Sequence, residues 1–132
     1  MSSINVNELS ILVVEPSDTQ RKIITQQLKN QGVIEVSQAK SVAETLAIVE
    51  RHSYDLITSA MYFNDDTALD LLRKVRANDK IADTSLMLVT SEYKKENLEE
   101  FKQSGVIALL PKPFTHEYLS SAITNYLLMI VN

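Results

Sequence analysis

The chain of 132 residues contains no cysteine and no tryptophan, which excludes disulfides, thiol nucleophiles and thiolate metal sites. Glycine is almost absent as well, with only Gly32 and Gly105 present. Phosphate-cradling loops of the GxGxxG or GxxxxGK[ST] kind need glycines close together. These two lie far apart, so dinucleotide and P-loop chemistry are excluded. Each follows a helical stretch and precedes an apolar run, the place where a left-handed residue closes a helix. Long hydrophobic runs are missing too: the stretch 127–131 reaches five residues, against about 20 for a membrane span. The first ten residues, MSSINVNELS, hold no basic segment followed by an apolar one, so no signal peptide is expected. Positive charge is not in excess. A net charge of −4 argues against a nucleic-acid partner or an anionic membrane surface. With 45% hydrophobic and 23% charged residues, the chain reads as one globular domain, 1–132 with a core over about 8–130, expected in the cytoplasm.

Five short apolar runs alternate with five amphipathic ones. Strands are predicted at 9–14, 33–37, 55–59, 86–90 and 106–110. Helices are predicted at 17–31, 41–52, 67–77, 97–104 and 115–130. Ser41 and Glu44 have capping-box spacing, and Thr115 suits an N-cap. The expected inward residues are Ile23, Ile24 and Leu28 in the first helix, Val42, Leu46 and Val49 in the second, and Leu69, Leu72 and Val75 in the third. Leu98 and Phe101 face inward from the fourth. The 33–37 run is the most polar strand and suits a sheet edge. Strict βα alternation predicts an α/β fold: a doubly wound (βα)5 unit of flavodoxin-like topology, with a five-stranded parallel sheet in the order 2-1-3-4-5 and helices on both faces. Such sheets place their working crevice beyond the carboxyl ends of the strands. The residues there are Glu15, Pro16, Ser17 and Asp18; Ser59, Ala60, Met61 and Tyr62; Thr90 and Ser91; and Lys112, Pro113 and Phe114.

At these loops the segments ILVVEPSDTQRKII, YDLITSAMYFNDDTALDLLRKVR, LMLVTSEYKKEN and GVIALLPKPF resemble the receiver domain of bacterial two-component response regulators. The single-domain chemotaxis subgroup is the most similar in flavour. The resemblance implies a domain that takes a phosphoryl group from a histidine kinase onto an aspartate ending strand 3. Two acids after strand 1 would help hold Mg²⁺, while a strand-4 Ser/Thr and a strand-5 Lys would meet the phosphoryl oxygens. Thr90, Lys112, Pro113 and Phe114 match this pattern. The phosphoacceptor position, counted from Tyr54, Asp55 and Leu56, holds Ala60, which offers no oxygen. Glu15 matches the first acid but Pro16 replaces the second. Asn64 and Ala68 stand for the usual proline and glycine, and Leu109 for the strand-5 aromatic. Departures at several positions favour natural divergence over an engineered alanine.

The charge count extends this reading. Receiver pockets collect carboxylates around one ammonium and so favour a hard divalent cation. Here Glu15 and Lys112 cancel, and Asp18 would restore one negative charge only if it turned inward. Mg²⁺ binding is therefore expected to be lost or very weak, with Lys112 paired to Glu15. The expected function is that of a pseudo-receiver: a phosphorylation-independent interaction module for two-component, phosphorelay or chemotaxis-type signalling, and not an enzyme. Its partners would be a histidine kinase or another signalling protein, with a homodimer formed through helix 4, strand 5 and helix 5. Leu109, Tyr118, Ala122 and Met129 are the candidate interaction face.

Plainer roles stand beside these. Glu15 also suits the positive end of the following helix, and the greasy 127–131 terminus need not be a contact surface. Asp65 and Asp66 are solvated loop acids or a substitute phosphoacceptor, and Ser59 and Ser91 are weaker acceptor candidates. His52 and His116 have no metal or triad spacing and are expected at the surface. The charged run from Lys94 to Lys102 suits a solvated helix face with a Lys95–Glu99 pair. A flavin or nucleotide binder of the same topology would rest only on Ser17 and Thr19.

Overall fold

The structure, a computed structural model, describes residues 5–91 and 95–130, and side chains outside 95–98 and 130. After a 3-10 turn at Val6–Glu8, five βα units follow: β1 Ser10–Val14, α1 Asp18–Asn30, β2 Glu35–Ala39, α2 Val42–Val49, β3 Leu56–Ser59, α3 Ala68–Ala77, β4 Ser85–Thr90, α4 Lys95–Gln103, β5 Val106–Pro111 and α5 His116–Ile130. The strands form one sheet in the order β2-β1-β3-β4-β5, with parallel pairing throughout. This is the flavodoxin-like arrangement that the alternation predicts.

Side chains alternate across the sheet with period two, and each face feeds its own core. Leu12, Val14, Ile57, Leu86 and Leu88 pack under α2, α3 and α4 through Val42, Leu71, Leu72, Val75 and Phe101. Ile11, Val13, Leu56, Met87 and Val89 pack under α1 and α5 through Ile24, Leu28, Leu119, Ile123 and Tyr126. Burial on both faces explains why the central strands read as continuous apolar runs.

Helix ends account for most differences from the sequence reading. Gly32 has φ +101°. Gly32 N–H donates to Lys29 O and Val33 N–H to Leu28 O, a Schellman closure of α1 with Val33 and Leu28 in the same core. Val33 thus belongs to the helix cap, and β2 starts at Glu35 instead of 33. It remains an edge strand. Ser41 caps α2 by accepting Glu44 N–H at 3.0 Å, and the helix stops at Val49, short of 52. At α3, Thr67 and Asp70 form a complete capping box, which the sequence reading did not single out. Thr115 accepts Tyr118 N–H at 3.0 Å, as expected.

Two facing assignments change. Ile23 is exposed, off the Ile24–Leu28 stripe, whereas Leu46 and Leu69 are half-buried and pack against the core as expected. Ala122, placed on the interaction face by its spacing, is buried in the α1–α5 core, because the buried arc of α5 is wide enough to take Leu119, Ala122, Ile123 and Tyr126 together. Leu98 and the Lys95 side chain lie outside the described residues; Glu100 pairs with Arg73 at 2.7 Å. Arg76 joins α3 to two loops, donating to Ala82 O, Thr84 O and Ser104 O at 2.7–2.9 Å. Burial lowers the pKa of its guanidinium, which these carbonyls solvate.

Candidate functional site

Parallel strands deliver their carboxyl ends to one edge of the sheet, and a cleft of about 320 Å³ opens there. Its lining includes Glu15, Ser17, Ala60, Tyr62, Thr90 and Lys112. β1 ends at Val14, so the next residue, Glu15, is carried into the cleft. Its N–H donates to Ala39 O at 3.0 Å. The Glu15 carboxylate is buried and fully engaged. Oε1 accepts the Lys112 ammonium at 2.9 Å, and Oε2 accepts Ser17 N–H at 2.8 Å. Glu15 therefore fills both roles open from the sequence: it faces the cleft and holds the first turn of α1.

Lys112 reaches it from the far side. Its backbone N–H donates to Thr90 O at 3.0 Å, which fixes the loop after β5 to the end of β4. Pro111 and Pro113 flank it, and the Lys112–Pro113 peptide is cis. The Lys112 side chain keeps 22% of its surface exposed against 6% for Glu15. Thr90 is buried at the cleft wall. Ala60 ends the β3 side, with its N–H bonded to Val14 O, and lines the cleft.

Other candidates do not converge on this cleft. Asp18 turns outward, where the adjacent Arg21 guanidinium lowers its carboxyl pKa; Arg21 also donates to Glu15 O at 2.8 Å. Pro16 is half-buried and brings no polar side chain. Asp65 and Asp66 sit in the β3–α3 loop outside the cleft lining. That loop is closed by Phe63 N–H to Asp66 O and Ala68 N–H to Met61 O. Ser59 is buried and donates to Ala60 O, whereas Ser91 is exposed at the rim. His52 is exposed. His116 is exposed too, and its Nδ1 lies 3.0 Å from Gln31 Nε2.

Among the described residues, no three His, Cys, Asp or Glu side chains are placed to share a metal ion. Mg²⁺ demands an octahedral shell of hard oxygens, some from carboxylates. Among the described residues, Glu15 is the one carboxylate in the cleft lining, and it is paired with the Lys112 ammonium, so these donors alone do not make up such a shell. Sequence reasoning missed a second groove, about 570 Å³, that shares Gln20, Ser91 and Lys112 with the cleft. Ile23, Ile24 and Gln27 of α1 form one wall, Pro113 and Phe114 the other. Helical spacing places Ile23 inward, so nothing in the sequence signals this groove; its exposure shows only in the structure.

Tyr118 and Met129 are exposed on α5. Leu109 is half-buried on β5, in a small groove with Phe101 and Val106. Leu109 packs into the core on the α2–α4 side of the sheet and α5 covers the other, so the proposed face wraps around the β5 edge. No helix among the described residues is long and apolar enough to cross a membrane.

Known proteins match this chain along most of its length. The model for the response regulator receiver domain matches residues 11–124. The chemotaxis protein CheY of Pseudomonas aeruginosa is 30% identical over 115 residues, covering 87% of this chain and 93% of that protein. Among solved structures, the chemotaxis response regulator CheY4 of Vibrio cholerae superposes with a TM-score of 0.79 at 26% identity, covering 89% of this chain and 98% of its own. A response regulator receiver domain protein from Clostridium thermocellum gives 0.80 at 26% identity, over 92% and 95%. On this match and on its sheet order, the chain belongs to the response regulator receiver domain family.

Proposed function

We propose that this receiver domain works as a phosphorylation-independent interaction module in two-component or chemotaxis-type signalling, in the cytoplasm. The observation that carries the reading is the state of the cleft. Ala60 presents a methyl where the resemblance puts the phosphoacceptor aspartate, and among the described residues the one carboxylate lining the cleft is held by Lys112 and Ser17. An acyl phosphate needs a carboxylate nucleophile, and its formation needs the transferring charge to be neutralised. Without a metal shell and with Lys112 already paired, neither requirement is met. Mg²⁺ binding is accordingly lost or very weak.

Asp65 and Asp66 offer no substitute, because they lie outside the cleft that Lys112 and Thr90 line. What remains is a folded surface of the receiver type, its state set by a partner or by the packing of the cleft and not by a phosphoryl group. Its partners are histidine kinases or other signalling proteins. The exposed Tyr118 and Met129 and the half-buried Leu109 are the contact residues, for a partner or for a homodimer across α4, β5 and α5. The test is a titration of isotope-labelled protein with acetyl phosphate and Mg²⁺, followed by nuclear magnetic resonance. The amide signals of Ala60, Thr90 and Ser91 stay in place if the reading is right. Saturable shifts at these residues refute it.

A further inference from the structure

We infer that the Glu15–Lys112 ion pair is a conformational latch that holds the β5–α5 loop and sets one wall of the groove against α1. The two residues are 97 positions apart, and each is anchored by its own backbone to a different strand end: Glu15 to Ala39 of β2 and Lys112 to Thr90 of β4. In the sheet, β3 and β4 lie between β1 and β5. The pair therefore spans the mouth of the cleft that Ala60 lines.

The two clefts share Lys112 with Gln20 and Ser91. Immediately after it, Pro113 and Phe114 form the groove wall that faces Gln20, Ile23, Ile24 and Gln27. A proline on each side of Lys112 restricts its backbone, and the tether to Glu15 limits how far the loop that carries this wall can withdraw from the cleft. Glu15 is tied to α1 as well, through Ser17 N–H and through Arg21 on its carbonyl. The pair thus joins both walls at their shared end, and its partial burial weakens screening by salt.

A buried ion pair is a poor predictor of net stability, because desolvation offsets the attraction. The test is therefore local opening. Amide exchange is measured in the native state for wild type, Glu15→Gln, Lys112→Met and the double variant. The double variant carries neither charge, so it leaves no unpaired buried ion. The expected result is exchange about tenfold or more faster at Lys112, whose N–H is held by Thr90 O, in each single variant. Leu12 and Ile57 in the central strands are not accelerated to that extent. The double variant opens the loop no further than the singles, because both substitutions remove the same interaction. An unchanged loop, acceleration spread evenly over loop and sheet, or independent addition of the two effects overturns the latch. The inference stands on geometry alone: a phosphoryl group found on the protein would refute the proposed function and leave this test intact.

Discussion

Restoring aspartate at positions 16 and 60 tests the charge argument directly. Ala60 lines a cleft of about 320 Å³, so Ala60→Asp adds a carboxylate there, and Pro16→Asp adds a second beside Glu15. In the wild type Glu15 and Lys112 cancel; Pro16→Asp with Ala60→Asp makes the site net −2. Between a divalent ion and one carboxylate about 4 Å away, the attraction is about 8 kcal/mol at an effective dielectric constant of about 20. Most of this is spent on removing water from the ion and the oxygens. If about 1.4 kcal/mol survives per carboxylate, each is worth tenfold, and the double substitution tightens Mg²⁺ binding about a hundredfold. Isothermal titration calorimetry reads this directly. Wild type should not saturate in the millimolar range, whereas the double variant should. Sub-millimolar binding by the wild type, or a double variant no tighter than wild type, would refute the reasoning.

The capping box of α3 gives a prediction on acid stability. Asp70 accepts the Thr67 N–H at 2.8 Å, and this bond, with that from the Thr67 hydroxyl, lowers its pKa from 3.8. A depressed carboxyl stabilises the fold above its unfolded value, and that stability is lost as pH falls through the lower folded value. The urea midpoints of wild type and Asp70→Asn should therefore differ at neutral pH and converge in acid, and Thr67→Ala should cost about 1 kcal/mol at neutral pH. Tyr126 behaves in the opposite sense. Burial, then the nearby negative Asp55, raises its pKa above 10.0, and its hydroxyl donates to Asp55 O at 2.9 Å. Its contribution is complete below pH 10 and is lost as pH rises through the folded value. In an ultraviolet titration of the five tyrosines, the Tyr126→Phe difference spectrum should place this ring above a free phenol.

The order of elements and the sheet were legible because they depend on period and alternation. Parallel strands buried on both faces leave uninterrupted apolar runs, and the two glycines mark helix ends where φ is positive. The cleft was legible as well, since sheet topology alone brings Glu15, Ala60, Thr90 and Lys112 to one edge. What the sequence concealed is geometry at the margins. Val33 reads as strand until the Schellman bond to Leu28 O claims it. Spacing on α5 excludes Ala122 from a narrow stripe, yet the helix buries a broader arc, and a small side chain fits where the helix sits close to the sheet. Arg76 carries no local signal, because the carbonyls it joins lie in loops up to 29 residues away. Glu15 was legible as a partner for Lys112, but its second bond to Ser17 N–H emerges only when the turn into α1 is built.

The central claim is that this receiver carries no phosphoryl group. Intact-mass spectrometry of the protein incubated with Mg²⁺ and either acetyl phosphate or an autophosphorylated histidine kinase tests it most directly. An ordinary receiver treated in parallel serves as the positive control. The mass of this chain should remain unchanged while the control gains a phosphoryl group. A phosphoryl adduct on this chain, mapped by peptide sequencing to Asp65, Asp66 or a serine at the cleft, would contradict the account.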